Sequence, residues 1–214
     1  MIILVGGQKG GCGKTNVSTN IAAYLAGQGR DLIVVDTDSR QNSSSKWAAR
    51  RSMASVEPFV NCTGIYDDIR PSVQDFSKRY ELVIIDAGGR DSKEFRTGLL
   101  VSDICLTPFV PSQHDIDTLP LVDDLIEQTA EFNPKIRAVA CFSNCPQNVG
   151  AREKRIKKYR EALGEELNNI KLLETEIINR ISYTDTAGTG KGVTETSDSK
   201  AAEEIMNLVR EVGI

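Results

Sequence analysis

The sequence predicts an α/β fold: a doubly wound, mostly parallel sheet flanked by helices, with residues 1–214 forming a single domain. Three observations predict it. Apolar runs without polar alternation recur at Ile2–Val5, Asp31–Val35, Glu81–Ile85, Asp103–Pro108 and Arg137–Phe142. Such runs suit strands buried on both faces, as in a parallel sheet. Between them lie stretches with helical spacing, among them Val17, Ile21 and Leu25, and Leu121, Leu125 and Ile126. Strand–helix alternation of this kind builds doubly wound sheets. Finally, a glycine-rich turn joins the first strand to the first helical stripe, where such sheets bind ligands.

The elements follow in order. Gly27 and Gly29 are expected to end the first helix, since glycine takes the left-handed C-cap cheaply. The second strand runs into Asp36-Thr37-Asp38, and the third ends Leu82-Val83-Ile84-Ile85-Asp86 before Ala87-Gly88-Gly89-Arg90. The fourth leads into Pro108 and Pro111, a stretch that fits a simple strand-to-loop turn. Asn144 and Asn179 each close a strand-like run. Thr184–Ser199 is polar, holds three glycines, and is expected to be a mobile loop. No repeat, low-complexity tract or long linker divides the chain.

Composition narrows the function. A hydrophobic content of 40% and a charged content of 26% are ordinary for a globular domain. The net charge of -4 excludes a wholly basic nucleic-acid binder, so any contact with DNA must come from a local patch. Five cysteines form an odd set with no C-x-x-C pair, which suits a reduced compartment rather than a disulfide framework. One histidine, His114, gives Cys141 and Cys145 too few companions for a metal site, and a structural role is expected for it. Met1–Val5 lacks the basic leader and length of a secretory signal. No apolar run approaches the ~20 residues of a membrane span. A cytoplasmic protein is expected.

The strongest local signal is Gln8-Lys9-Gly10-Gly11-Cys12-Gly13-Lys14-Thr15, placed after a strand and before a helix as a phosphate-binding loop requires. Glycines let successive amides turn inward around phosphates, and the helix N-terminus adds positive potential. Lys14 then reaches the β- and γ-phosphates, and the Thr15 hydroxyl takes one Mg²⁺ position. Asn16 continues the loop into the helix. Gln8 stands where the strict motif has its first glycine. Lys9 is an additional cation, free to serve the same nucleotide or one on another molecule.

These residues resemble the deviant Walker A motif, KGGxGKT, of the ParA/MinD family of partition and positioning ATPases. The resemblance runs from Ile2 to about Leu208 and is looser beyond residue 110. It implies ATP and Mg²⁺ as cofactors and a sandwich homodimer in which Lys9 touches the partner's ATP. Asp36-Thr37-Asp38 is similar to the family's D-x-D-P-Q motif, with Ser39-Arg40 where the family has Pro-Gln. That implies a place near the metal for Asp36 and a water-orienting role for Asp38. Asp86 matches the Walker B aspartate, which holds a water on Mg²⁺. Pro108 resembles the family's proline-bearing stretch beside the nucleotide. Asn144 and Asn179 are candidates for the adenine.

Ala151–Arg160 carries six cations against Glu153. On a helix, Ile156 and Tyr159 point inward and the cations spread over the rest. Arg152, Lys154, Arg155, Lys157 and Lys158 are candidates for sequence-independent DNA contact; a solvated face is the alternative. The resemblance, closest to small plasmid partition ATPases, implies ATP-dependent nonspecific DNA binding, nucleoid association and a ParB-like adaptor that triggers hydrolysis. A membrane-cycling regulator of the MinD type needs a basic amphipathic tail, and Ala201–Ile214 holds Glu203, Glu204 and Glu211. No membrane partner is expected. A metal-cluster ATPase related to the nitrogenase iron protein would need cysteines that meet across the dimer, and Cys105 and Cys141 lack the expected glycine-rich surroundings. A positioning ATPase for another cargo stays open.

Overall fold

The computed structural model describes residues 1–89 and 91–214; Arg90 lies outside the described residues. Seven strands form one sheet in the order β3-β2-β4-β1-β5-β6-β7. They are β1 (Ile2–Val5), β2 (Leu32–Asp36), β3 (Asn61–Gly64), β4 (Leu82–Asp86), β5 (Ile104–Phe109), β6 (Arg137–Cys145) and β7 (Ile170–Ile178). Every pairing is parallel. The doubly wound parallel sheet is as expected, and β1, β2, β4 and β5 agree with the apolar runs within a residue at each end.

The helices are α1 (Lys14–Gly27), α2 (Ser43–Met53), α3 (Arg70–Phe76), α4 (Lys93–Leu99), α5 (Gln113–Ile116), α6 (Leu119–Ala130), α7 (Val149–Glu166), α8 (Ile181–Thr189) and α9 (Ser199–Val212). They cover the sheet from both sides because successive strand side chains point to opposite faces. On one face Leu4, Val35 and Ile85 pack with Phe95 of α4, Leu119 and Val122 of α6, and Ile156, Tyr159 and Leu163 of α7. On the other, Ile3, Val34 and Ile84 pack with Val17 and Ile21 of α1, Trp47 of α2 and Ile205 and Leu208 of α9. With both faces covered, the strands needed no polar residues, which is why they read as unbroken runs.

Two expectations need correction. Thr184–Ser199 is not a loose loop. Its first six residues belong to α8, and a 3₁₀ turn at Val193–Glu195 buries Val193 completely. Arg51 explains this order. Fully buried on α2, it pairs bidentately with Glu195 at 2.8 and 2.6 Å and donates to the carbonyls of Gly190 (3.0 Å) and Pro58 (2.8 Å). Leu121 does not join the stripe of Leu125 and Ile126: it is exposed, and Val122 is the buried residue of that turn. The strand β3 has no apolar run to announce it, being a partly exposed edge.

Removing the Arg51 guanidinium strands the Glu195 carboxylate and the carbonyls of Gly190 and Pro58. Arg51→Ala is therefore expected to lower unfolding stability by about 3–5 kcal/mol. A urea titration reads this directly, and an unchanged midpoint would refute the tie.

Candidate nucleotide and metal site

The phosphate loop leaves β1 at the switch point of the sheet, where connections from β1 and β5 part in opposite directions. Gly11 and Gly13 take φ of 81° and 88°, a left-handed backbone that other residues adopt at a cost. At Gly13 crowding adds to conformation, since a Cβ would lie 2.7 Å from Ser143 Oγ. Gly89, in the loop after β4, is needed for a different reason. A Cβ there would stand 2.6 Å from Gly10 Cα, so the two loops approach backbone to backbone.

Between those loops lies a cleft of about 280 Å³ lined by Gly10, Gly13, Lys14, Thr15, Asp38 and Gly88 among others. Asn16 lines it with Lys14 and Thr15. Lys14 Nζ donates to the Lys9 carbonyl at 2.5 Å, curled over the loop. Cys12 contributes backbone to the loop, while its thiol is buried, 3.4 Å from the Lys9 carbonyl. Burial pushes that thiol's pKa up, which leaves it a protonated spectator.

Asp86 ends β4 inside a ring of hydroxyls. Thr15 Oγ1 donates to it at 2.7 Å, Ser44 Oγ at 2.5 Å and Ser18 Oγ at 3.1 Å. Burial raises its pKa to about 6, against the lowering effect of the three hydroxyls. A buried carboxylate beside a threonine hydroxyl at the mouth of a phosphate loop is the donor set of a Mg²⁺ site. Among the described residues no cluster of three His, Cys, Asp or Glu could hold a metal by itself. The ion must share its coordination with phosphate oxygens and water, as Mg²⁺ commonly does.

Asp36 lies beside Asp86 in the register of β2 and β4 and is completely buried. Its two oxygens accept backbone amides, from Asp38 at 3.1 Å and from Ser45 at 2.9 Å, which ties it to the first turn of α2. Asp38 faces the cleft. Its Oδ1 accepts the amides of Arg40 and Gln41, both at 3.1 Å, and Gly88 lies opposite.

A larger cleft of about 490 Å³ continues past Asn16 and Thr19 and is lined by both Asn144 and Asn179, with Lys46, Arg50, Arg180 and Tyr183. Here the register of β6 against β7 shifts and Asn144 takes a left-handed φ of 54°, exposing its side chain. A bulge beside a site commonly serves to re-aim a side chain. The structure brings the two asparagines to one base-sized hollow. Pro108 does not join them: it is buried in β5 and lines a small crevice behind the loop with Cys12 and Asp115.

Lys9 points toward that crevice and pairs with Asp115, which also accepts Ser112 Oγ at 3.1 Å and the Val110 amide at 2.9 Å. Sequence reasoning missed Asp115. No pattern marks it, and only folding carries it across 106 residues to Lys9. His114, its neighbour, is exposed.

On α7, Lys154, Arg155, Lys157 and Lys158 are exposed, and Ile156 and Tyr159 are buried as expected. Arg152 is less exposed than these and pairs with Glu176 at 3.0 Å. Arg160 likewise meets Glu174 and the Leu173 carbonyl. No helix among the described residues is long and apolar enough to cross a membrane.

Similarity to known proteins agrees with this geometry. The chain is 28% identical over 216 residues to the "Maintenance of carboxysome distribution protein A" of Halothiobacillus neapolitanus, covering 98% of this chain and 95% of that protein. It is 26% identical over 164 residues to the chromosome-partitioning ATPase Soj of Thermus thermophilus, covering 63% and 65%. The septum site-determining protein MinD of Pyrococcus horikoshii, solved with Mg-ADP, superposes with a TM-score of 0.74 at 18% identity, covering 99% of this chain and 95% of that one. Residues 3–211 match the nucleotide-binding domain described as CobQ/CobB/MinD/ParA. This chain belongs to that CobQ/CobB/MinD/ParA nucleotide-binding family.

Proposed function

We propose that the protein is a Mg·ATP-dependent positioning ATPase that dimerises around nucleotide, travels on nonspecific DNA and is reset by an adaptor that stimulates hydrolysis. The observation that carries it is that Lys14, Thr15 and Asp38 line one phosphate cleft, with Asp86 behind it on the Thr15 hydroxyl and the extra cation Lys9 in the same loop. The loop amides and Lys14 bind the β- and γ-phosphates. Thr15 and, through water, Asp86 hold Mg²⁺, which when bound neutralises the phosphate oxygens. Asp38 orients the attacking water, the side chain of Asn144 or Asn179 holds the base, and Lys9 leaves Asp115 to reach the nucleotide of a second copy.

Two kinds of cargo fit this cycle: a replicon held by a ParB-like adaptor, or a protein assembly. The likeness to the carboxysome distribution protein spans almost the whole chain, against under two thirds for the partition ATPase, and favours the protein assembly. A membrane cycle is disfavoured because the apolar face of α9, Ala201, Ile205, Leu208 and Val212, is already buried in the core. Light scattering with ADP and with a nonhydrolysable ATP analogue tests the switch: the analogue doubles the mass, and a mass equal in both states would sink the reading.

The DNA track rests on α7. Reversing charge at Lys157 and Lys158 together is expected to weaken ATP-dependent DNA binding at least about tenfold and to reduce the salt slope by roughly 2. ATP binding stays intact, since neither residue lines the nucleotide clefts. Undiminished retention on DNA would remove α7 from the account.

A further inference from the structure

The loop from β2 to α2 carries a cation, Arg40, beside a cleft that adjoins the phosphate cleft and shares Gly10, Asp38, Gln41, Gly88 and Gly89 with it. Its turn, Asp38-Ser39-Arg40-Gln41, is pinned by the Asp38 carboxylate itself, which accepts the amides of Arg40 and Gln41. Arg40 is therefore two residues from the group that orients the attacking water, on a turn whose shape that group sets. Its side chain is exposed, and it lines a polar cleft of about 460 Å³ with Gly10, Asp38, Gly88 and Gly89. Gly10 belongs to the phosphate loop. Gly88 and Gly89 follow Asp86.

The charges around this cleft are otherwise engaged. Lys9 is drawn to Asp115 and Lys14 donates to the loop carbonyl of Lys9. Glu94, on the same wall, accepts the Asp67 amide at 2.9 Å. Among the described residues Arg40 has no ion-pair partner, although eleven other lysines and arginines do. A guanidinium offers five donors in a planar fork suited to a phosphoryl group, and a cation at the γ-phosphate lowers the barrier by meeting charge as it develops.

We propose that Arg40 is a catalytic residue of this ATPase, contacting the γ-phosphate bound by its own chain. Resting on the ATPase reading, this assigns the charge-stabilising role of an arginine finger to the switch loop. The water oxygen forms the new bond to Pγ as the bond from Pγ to the bridging oxygen breaks. The electron pair leaves with ADP and the water's proton passes to the phosphate product. Arg40 stays protonated throughout and only gains hydrogen bonds to the equatorial oxygens in the transition state. The resemblance places a glutamine at this position, so Arg40→Gln is the substitution that isolates the charge.

The test compares wild type with Arg40→Gln in three measurements: affinity for a fluorescent ATP analogue, single-turnover hydrolysis at saturating ATP, and affinity for ADP with aluminium fluoride. The variant is expected to bind the ATP analogue as wild type does, to hydrolyse ATP about 10²-fold more slowly, and to lose affinity for the aluminium fluoride complex to a similar degree. If wild type turns over and Arg40→Gln keeps pace, Arg40 is overturned and the ATPase reading stands. If wild type binds ATP without hydrolysing it, the ATPase reading itself fails. Mixing Arg40→Gln with Asp38→Ala chains checks the geometry, because restored turnover in the mixture would overturn action on the residue's own nucleotide.

Discussion

Replacing Lys9 by alanine is expected to leave a monomer that still binds ATP, and to cut hydrolysis roughly 10³-fold, the scale of a charge supplied across an interface. The separation of binding from turnover follows from where the two loop lysines stand. Lys14 is buried over the phosphate loop, whereas the Lys9 side chain is 39% exposed and turned to Asp115. Its departure uncovers a buried carboxylate, but Asp115 keeps its bonds from Ser112 and Val110, which offset part of the cost. A triphosphate on a second copy is the stronger attractor. Light scattering with a nonhydrolysable analogue and a phosphate-release assay read the two halves of the result. A Lys9→Ala protein that dimerises and turns over normally would refute charge donation between copies.

Asp86→Asn is expected to strengthen the metal-free protein at neutral pH while destroying its response to Mg²⁺. Burial lifts the folded-state pKa from 3.8 to about 6. A carboxyl raised in this way favours folding when protonated, and that contribution is lost as pH rises from about 4 through about 6. Above that window the fold buries an anion whose desolvation outweighs its three hydroxyl bonds, at a net cost of about 3 kcal/mol. Asparagine carries no such charge but accepts fewer bonds from Thr15, Ser18 and Ser44. A net gain of about 1–2 kcal/mol at pH 8 is the expected balance. In chelator, the difference in urea midpoint between variant and wild type should shrink toward pH 5. A difference that ignores pH would show that Asp86 is not the titrating group. With magnesium and ATP the order reverses, because only the carboxylate draws the cation.

These two residues also mark how far the sequence could be followed. Lys9 and Asp86 stand inside short contiguous patterns, a glycine loop and a hydrophobic run ending in an acid, so their neighbours in the chain are their neighbours in space. Their partners could not be read in the same way. Asp115 and Ser44 sit 106 and 42 residues away, in segments whose composition is ordinary. Asp36 is similar: its pattern was plain and it lies beside Asp86, yet the amides of Asp38 and Ser45 that its carboxylate accepts are placed only by the start of α2. Arg152 was grouped with a basic run by adjacency, and the helix then turned it to Glu176.

By itself the sequence determined the parallel sheet, the phosphate loop and the residues that end β2 and β4, because strand burial and glycine-dependent turns are properties of consecutive residues. Tertiary structure decided which carboxylate meets Thr15, where Lys9 rests, which cations of α7 stay free, and that Thr184–Ser199 is ordered through Arg51. Each of those depends on groups far apart in the chain whose charge or hydrogen-bonding needs are met only once the two layers of helices have packed against the sheet.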